Sequence, residues 1–384
     1  MPYWRLSAWY FFYFAFIGAF SPYFGLYLQS LKFSAWDISV LFSLMQVMRL
    51  VAPNLWSALA ERAGNKTALM RATAALSVAA FAGFFFTRSF SGLFAAMALL
   101  AIFSSASLPL AETLTLEHLR HRSEHYGRLR LWGSIGFIAA VMAVGALLDA
   151  LPIVILLWVS VLLLAGILAC TLVLPEAPRA DTILPHPPLG AALCRPAVLA
   201  FFTACFLMSA AHGPLYVFYS IHLVDHGYDK TMVGALWSLG VVAEIAVFLV
   251  MPGLLRSHSL RAILMWSLAC AVFRFLMIGW GVESLALLLL AQLLHGATFG
   301  ACHAAAMAAL HRWFPGAQLA RAQALYGSVS FGAGGMVGGL ASGLIWDRFG
   351  PGWSFTLGAA FALTGLILLW RTMPKEFPAG AAMP

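Results

Sequence analysis

Charge is what this chain has least of. Only 9% of its 384 residues are Asp, Glu, Lys or Arg, against 62% hydrophobic, far from the soluble average. That scarcity excludes a soluble globular domain, which could bury one large core but not a dozen long apolar stretches. Cysteine is also scarce: the five, Cys170, Cys194, Cys205, Cys270 and Cys302, show no CxxC spacing, so neither a disulfide framework nor a zinc site is indicated. No Walker-type phosphate loop occurs, which leaves ATP-driven pumping unsupported. The glycine-rich run from Gly332 to Gly339 lies inside an apolar span and lacks the strand–loop–helix context of a nucleotide site. No Ser/His/Asp or Cys/His set reads as catalytic, and the loops are too short to hold an enzyme domain. An enzyme is not expected.

What the chain does have is apolar runs of about 20 residues, long enough to cross a bilayer. They fall near 6–28, 38–59, 66–86, 93–116, 131–148 and 153–174, then 197–223, 233–255, 262–281, 285–309, 325–346 and 354–373. They are continuous rather than alternating, so helices are expected, because lipid leaves no backbone group unpaired. The first run lacks a small-residue cleavage site before a polar mature domain and reads as a retained helix, not a signal peptide. A net charge of +8 could suggest nucleic acid, so its placement matters. With a cytoplasmic N-terminus, sixteen of the 22 basic residues fall in loops on that side and four on the other. This positive-inside bias predicts cytoplasmic termini at both ends and removes the nucleic-acid reading.

The segment 175–196, with Pro175, Pro178, Pro185, Pro187 and Pro188, is the longest polar stretch. It divides the chain into two predicted six-helix halves, 1–174 and 197–384. The halves echo each other at a shift of about 194 residues: Leu131-Trp132-Gly133-Ser134 recurs as Leu325-Tyr326-Gly327-Ser328. Twelve spans, a central loop and a parallel repeat together resemble the major facilitator architecture. The loop Ser57-Ala58-Leu59-Ala60-Glu61-Arg62-Ala63-Gly64-Asn65-Lys66 resembles that superfamily's cytoplasmic motif, with Ser57 where glycine is usual. The resemblance gives Glu61, Arg62, Gly64 and Lys66 a gating role; a solvated basic loop is the alternative. Gly335, Gly339 and Gly343 recur every fourth residue and suit close helix packing.

Four charged residues lie inside apolar runs: Arg49, Glu112, Glu244 and Arg274. Each costs at least ~2.5–3.5 kcal/mol to insert, and such residues usually face a wet cavity. Burial and a nearby arginine pull the protonation of Glu244 in opposite directions, which suits a proton carrier. A fixed ion pair with Arg274 is the structural alternative. Arg49 offers a planar fork of donors matched to a carboxylate, with snorkelling to a near surface as its alternative. His295 and His303 titrate near neutral pH and could pass protons or simply pack; no third ligand at metal spacing accompanies them. Aromatic residues Phe16, Phe20, Tyr23 and Tyr27 recur at helical spacing, as do His212, Tyr216 and Tyr219. They could line a cavity or fill a core.

The run Tyr126-Gly127-Arg128-Leu129-Arg130-Leu131-Trp132-Gly133-Ser134 resembles the 3-phenylpropionate transporter family, relatives of lactose permease. So do Leu236-Trp237-Ser238-Leu239-Gly240-Val241-Val242-Ala243-Glu244, Val272-Phe273-Arg274, and the segment from Gln292-Leu293-Leu294-His295 to Cys302-His303. The resemblance covers nearly the whole chain. It implies proton-coupled uptake across a bacterial inner membrane by alternating access. It assigns substrate contact to Glu112 and Arg130, and a proton-linked role to Arg274 and His295. It departs from the permease at three places. The carboxylate of the eighth helix is displaced about one turn to Glu244, a second carboxylate is replaced by Thr298, and the tryptophan that stacks on a galactoside is Phe137.

The expected protein is therefore a monomeric, all-α membrane carrier with no cofactor beyond the proton. Its partners are the bilayer and a small organic acid, an aromatic one favoured. Glu244, Arg274 and His295 are expected to couple the proton. Arg49, Glu112, Arg130, Phe137, Tyr23, Tyr27, His212, Tyr216 and His303 are expected to surround the solute. A sugar, nucleoside or drug carrier of the same fold, or a membrane receptor that no longer transports, are the alternatives.

Overall fold

The computed structural model describes residues 2–119, 125–177 and 189–374. Most of the central loop, with Pro178, Pro185, Pro187 and Pro188, lies outside them. Twelve long helical runs follow in order. They are α1 Tyr3–Ser30, α2 Ala35–Ala63, α3 Lys66–Phe85, α4 Phe90–Leu119, α5 Tyr126–Ala150 and α6 Ile155–Val173, then α7 Pro196–Asp225, α8 Lys230–Ser257, α9 Leu260–Trp280, α10 Leu285–Trp313, α11 Gln318–Phe349 and α12 Pro351–Thr372. Among the described residues, eleven of these are long and apolar enough to cross a membrane; α2, at 29 residues, completes the set. Each predicted span has its helix, which generally runs a few residues further into the polar flanks. Those flanks supply the caps. Ser34 and Asp37 form a capping box at α2, and the side chains of Asn65, Ser89, Ser259 and Ser284 cap α3, α4, α9 and α10.

Four helices are interrupted. The regular geometry of α4 lapses at Ser105 and Ala106, and that of α7 at His212. The helices α10 and α11 carry π-helical stretches, Gly296–Ala301 and Gly327–Gly334, a feature often found at functional sites.

Two compact units emerge. The first comprises Met1–Ile183 with Leu215–Ser238, the second Leu184–Pro214 with Leu239–Pro384. The hairpin from the second half of α7 to the start of α8 thus belongs with the first unit, although the sequence repeat places it in the second half. In the first unit α1 meets α5 backbone to backbone. A Cβ added at Gly18 would lie 2.5 Å from the Phe137 carbonyl oxygen, and one at Gly136 would lie 2.2 Å from that of Phe11. Beside this seam Phe16, Phe20 and Phe24 stack on one another and against Phe81 and Phe84. Phe16 and Phe20 are therefore core.

The hairpin is held chemically. Asp149, at the end of α5, accepts the backbone N–H of Lys230 at 2.8 Å and of Thr231 at 2.9 Å, plus the Thr231 hydroxyl at 2.6 Å. The Lys230 ammonium lies 3.5 Å away. One carboxylate thereby satisfies two of the orphan amides at the start of α8. Gln29 Nε2 donates to Asp225 at 3.0 Å on the same side.

In the second unit the close approach on α11 falls at Gly334 and Gly338, where an added Cβ would meet the carbonyl oxygens of Phe206 and Ala210 at 2.5 and 2.2 Å. Gly339 and Gly343 of the four-residue stripe are buried as well.

Asp149→Ala leaves two helix-start amides without their acceptor and should cost about 1 kcal/mol, the usual value of a lost cap. Thermal unfolding in detergent should show a melting point a few degrees lower; an unchanged melt would mean that solvent replaces the carboxylate at no cost.

Candidate functional site

Polar groups gather at the middle of the second unit. Arg274 of α9 is wholly buried, and its guanidinium is held by acceptors that carry no formal charge. Nε donates to the Ala291 carbonyl at 2.9 Å, Nη1 to Thr298 Oγ1 at 3.1 Å and to His212 Nε2 at 3.2 Å, and Nη2 to Gln292 Oε1 at 3.4 Å. Three elements supply these acceptors: the break in α7, the straight part of α10, and its π-helical stretch. The π turn matters because it brings Thr298 under the guanidinium while His295 still faces α8.

Glu244 of α8 lies with one carboxylate oxygen 3.9 Å from His295 Nε2, a distance for ionic attraction rather than a hydrogen bond. Small residues make this approach possible. A Cβ at Gly296 would sit 2.5 Å from the Ala243 carbonyl oxygen. At Gly300 it would sit 3.3 Å from Glu244 Cγ, and at Gly240 3.1 Å from Gln292 Oε1. The His295 ring stacks flat on Phe299, with centroids 5.5 Å apart. Two buried nitrogens here, His295 Nδ1 and Gln292 Nε2, have no hydrogen-bond partner. Unsatisfied buried donors are rare and call for a specific reason.

A second cluster stands in the first unit. Tyr126 donates to Glu112 Oε1 at 3.2 Å, and Tyr10 donates to Thr115 at the same distance. The Arg130 guanidinium lies over the Phe14 ring at 4.4 Å and over Tyr10 at 5.8 Å, a cation–π arrangement. Gly133 lets α5 come this near, since a Cβ there would touch Phe14 at 2.6 Å. The Tyr13 phenol is within electrostatic reach of Arg49, Glu112 and Arg130 together. It was not among the expected site residues. Extending the Phe16, Phe20, Tyr23, Tyr27 stripe back by one turn would have found it. Arg49 itself is exposed.

The remaining expected residues scatter. Tyr23 is fully buried, with its hydroxyl shared between the Val141 carbonyl at 2.8 Å and that of Lys230 at 3.1 Å; it joins the α8 hairpin to α1 and α5. Tyr27 stacks on Phe24. Tyr216 stacks on Trp237 within the first unit, while His212 belongs to the second. Phe137 meets Gly18 through its backbone. His303 lies 3.3 Å from the Tyr326 hydroxyl and parallel to Phe299, continuing the ring stack from His295. Among the loop residues, Gly64 adopts φ 65° as the left-handed C-cap of α2, the conformation that favours glycine there. Lys66 pairs with Glu117 at 2.6 Å. Arg62 is exposed. The Glu61 side chain lies outside the described residues.

Twelve long helical runs, one of them carrying the wholly buried charge of Arg274, define a multi-pass membrane protein. The MFS_1 like family model matches residues 3–357, and the chain belongs to that family. It is 28% identical over 374 residues to a probable 3-phenylpropionic acid transporter of Escherichia coli strain K12, covering 96% of this chain and 98% of that one. It is 26% identical to the maltose permease of Geobacillus stearothermophilus, with 97% and 94% covered. Among solved structures, the nucleoside transporter NupG superposes with a TM-score of 0.82 at 20% identity, with 97% and 98% covered. The human organic anion transporter MFSD10 gives 0.66 at 19%, with 96% and 100% covered. These establish the major facilitator fold and secondary transport as the function.

Gly296→Val should push α10 away from α8 and cost about 1–3 kcal/mol by overpacking. Gly253→Ala, where nothing lies within 4 Å, should cost nothing. Equal melting points for the two variants would contradict the tight α8–α10 contact.

Proposed function

We propose that the protein is a proton-coupled symporter of a small organic acid, an aromatic monocarboxylate being the favoured class. The carrying observation is the juxtaposition of Glu244, His295 and Arg274 within one unit: a half-buried carboxylate beside a buried titratable ring and a buried permanent cation. Protonation of Glu244 removes its attraction to the cationic side of the cluster. Arg274 can then pair with the solute's carboxylate, so that solute and proton ride together. Arginine suits this role because it keeps its charge in oil and presents parallel donors to a carboxylate. The first-unit cluster offers a further cation, Arg130, set among rings that suit an aromatic solute. Arg49 adds another near Tyr13. The nearly full-length likeness to a probable 3-phenylpropionic acid transporter supports the same class.

The two six-helix repeats are the parts that alternate, and the distribution of basic residues supports cytoplasmic termini at a bacterial inner membrane. A neutral sugar is the second reading. The Glu112–Tyr126 hydrogen bond, with donor and acceptor side by side, favours it, as does the likeness to a maltose permease. Phe137, in place of a stacking tryptophan, weighs against a galactoside.

Uptake into proteoliposomes under an imposed inward proton gradient separates these readings. 3-Phenylpropionate should accumulate and maltose should neither accumulate nor compete. Glu244→Gln should abolish gradient-driven accumulation while counterflow exchange continues. Accumulation by that variant at the wild-type level would remove Glu244 from the coupling scheme.

A further inference from the structure

His212 was expected to touch the solute, yet the structure gives it a different task. It occupies the break in α7, between the helical segments Pro196–Ala211 and Gly213–Asp225. The break has a covalent cause, because Pro214 has no N–H to donate to the Ala210 carbonyl. The ring is 2% exposed and has its two nitrogens fixed from opposite sides. Nδ1 lies 2.8 Å from the Met208 carbonyl oxygen, which accepts only, so Nδ1 carries hydrogen. Nε2 lies 3.2 Å from Arg274 Nη1, which donates only, so Nε2 presents its lone pair. The two contacts together specify a neutral ring in one tautomer.

We propose that His212 is a proton-sensitive positioning residue for Arg274. Neutral His212 holds the guanidinium inside the second unit, and a proton on Nε2 releases it. This rests on the symport reading above and deepens it. The bookkeeping is simple: the proton takes the Nε2 lone pair, the Arg274–His212 hydrogen bond breaks, and no covalent bond changes. Once protonated, the ring can no longer accept from Arg274 and sets a second positive charge against it. The guanidinium, still held by Ala291, Gln292 and Thr298, is then drawn toward a carboxylate.

The charged and titratable groups facing His212 are few. Arg274 comes from α9. His295 comes from α10, with ring centres 6.3 Å apart. Glu244 of α8 lies beyond His295, 3.9 Å from its Nε2. Phe275 and Phe299 stand edge-on to the His212 ring, and Thr298 Oγ1 lies 3.4 Å from Nε2. Helices α11 and α12 pack against the break through Gly338 and Gly358. A purely structural anchor needs no imidazole here. The Ala291 carbonyl already fills that role for Arg274 Nε, and histidine adds a ring nitrogen that can take a proton.

The test uses the full chain in lipid nanodiscs, labelled with ring-15N histidine and side-chain 15N arginine. His212→Gln identifies the His212 signals by difference; its amide oxygen can accept from Arg274 without titrating. His212→Asn serves if glutamine disturbs folding. At neutral pH the wild-type ring should show hydrogen on Nδ1 and none on Nε2. On acidification, protonation of Nε2 should coincide with a shift of the Arg274 signals. An Nε2–H tautomer or an imidazolium at neutral pH, or Arg274 signals that ignore the titration, would overturn the proposal.

In proteoliposomes, affinity for 3-phenylpropionate should vary by up to about tenfold per pH unit in the wild type, as linkage to one proton permits. In His212→Gln, where Glu244 still titrates, the slope should be clearly shallower than in the wild type. An undiminished pH slope in that variant would also overturn the proposal. Absence of any 3-phenylpropionate flux in the wild type would count against the solute class instead, and the nitrogen spectra would still decide the role of His212.

Discussion

A guanidinium that cannot lose its proton sits wholly inside an apolar bundle, and the second unit is organised around that constraint. Arg274 is costly to insert, and its surroundings show how the cost is met. A backbone carbonyl, a hydroxyl, an amide oxygen and an imidazole nitrogen converge on it. Three of the four come from α10, whose straight part supplies the carbonyl and the amide while the π-helical stretch supplies the hydroxyl. The fourth comes from a helix that proline has broken. The irregular backbone of α7 and α10 is therefore part of the site. Lipid tolerates such irregularity only where protein encloses it.

The same constraint shapes what the cluster can do. The four acceptors named above are neutral, so their hydrogen bonds do not themselves cancel the charge of Arg274. Glu244 supplies a carboxylate to the cluster, and a solute can bring another. His295 lies between Glu244 and His212, with one ring nitrogen lacking a partner. The arrangement has several ways to place one proton and one positive charge, none much better satisfied than the next. A carrier that must exchange partners during each cycle needs that near-balance. A fully satisfied ion pair would resist release.

Much of this was legible in the sequence. Spans were readable because an unbroken apolar run in a bilayer has one structural outcome, and the charged interruptions Glu244, Arg274 and Glu112 stood out against it. The capping serines and Gly64 were equally local. What depended on tertiary contact was less accessible. Nothing in the spacing shows that Thr298 and Gln292 turn toward Arg274, because a π-helical turn shifts the face of α10. The hydroxyl of Tyr23 looks like a ligand group until two carbonyls from α5 and α8 claim it. Tyr13 was overlooked because Arg49, Glu112 and Arg130 come from three different helices, and only folding brings them round one phenol. His212 was singled out for its ring, but the arginine it meets lies some sixty residues away in the chain.

Whether the cluster moves protons together with solute is the central claim, and it can be measured without any variant. Proteoliposomes in weakly buffered medium, with an external pH electrode and no imposed gradient, are given 3-phenylpropionate. Stoichiometric alkalinisation of the medium as the acid anion enters is the predicted result. Entry of the anion with no change in external pH would contradict proton coupling and leave the Glu244–His295–Arg274 group as a structural feature only.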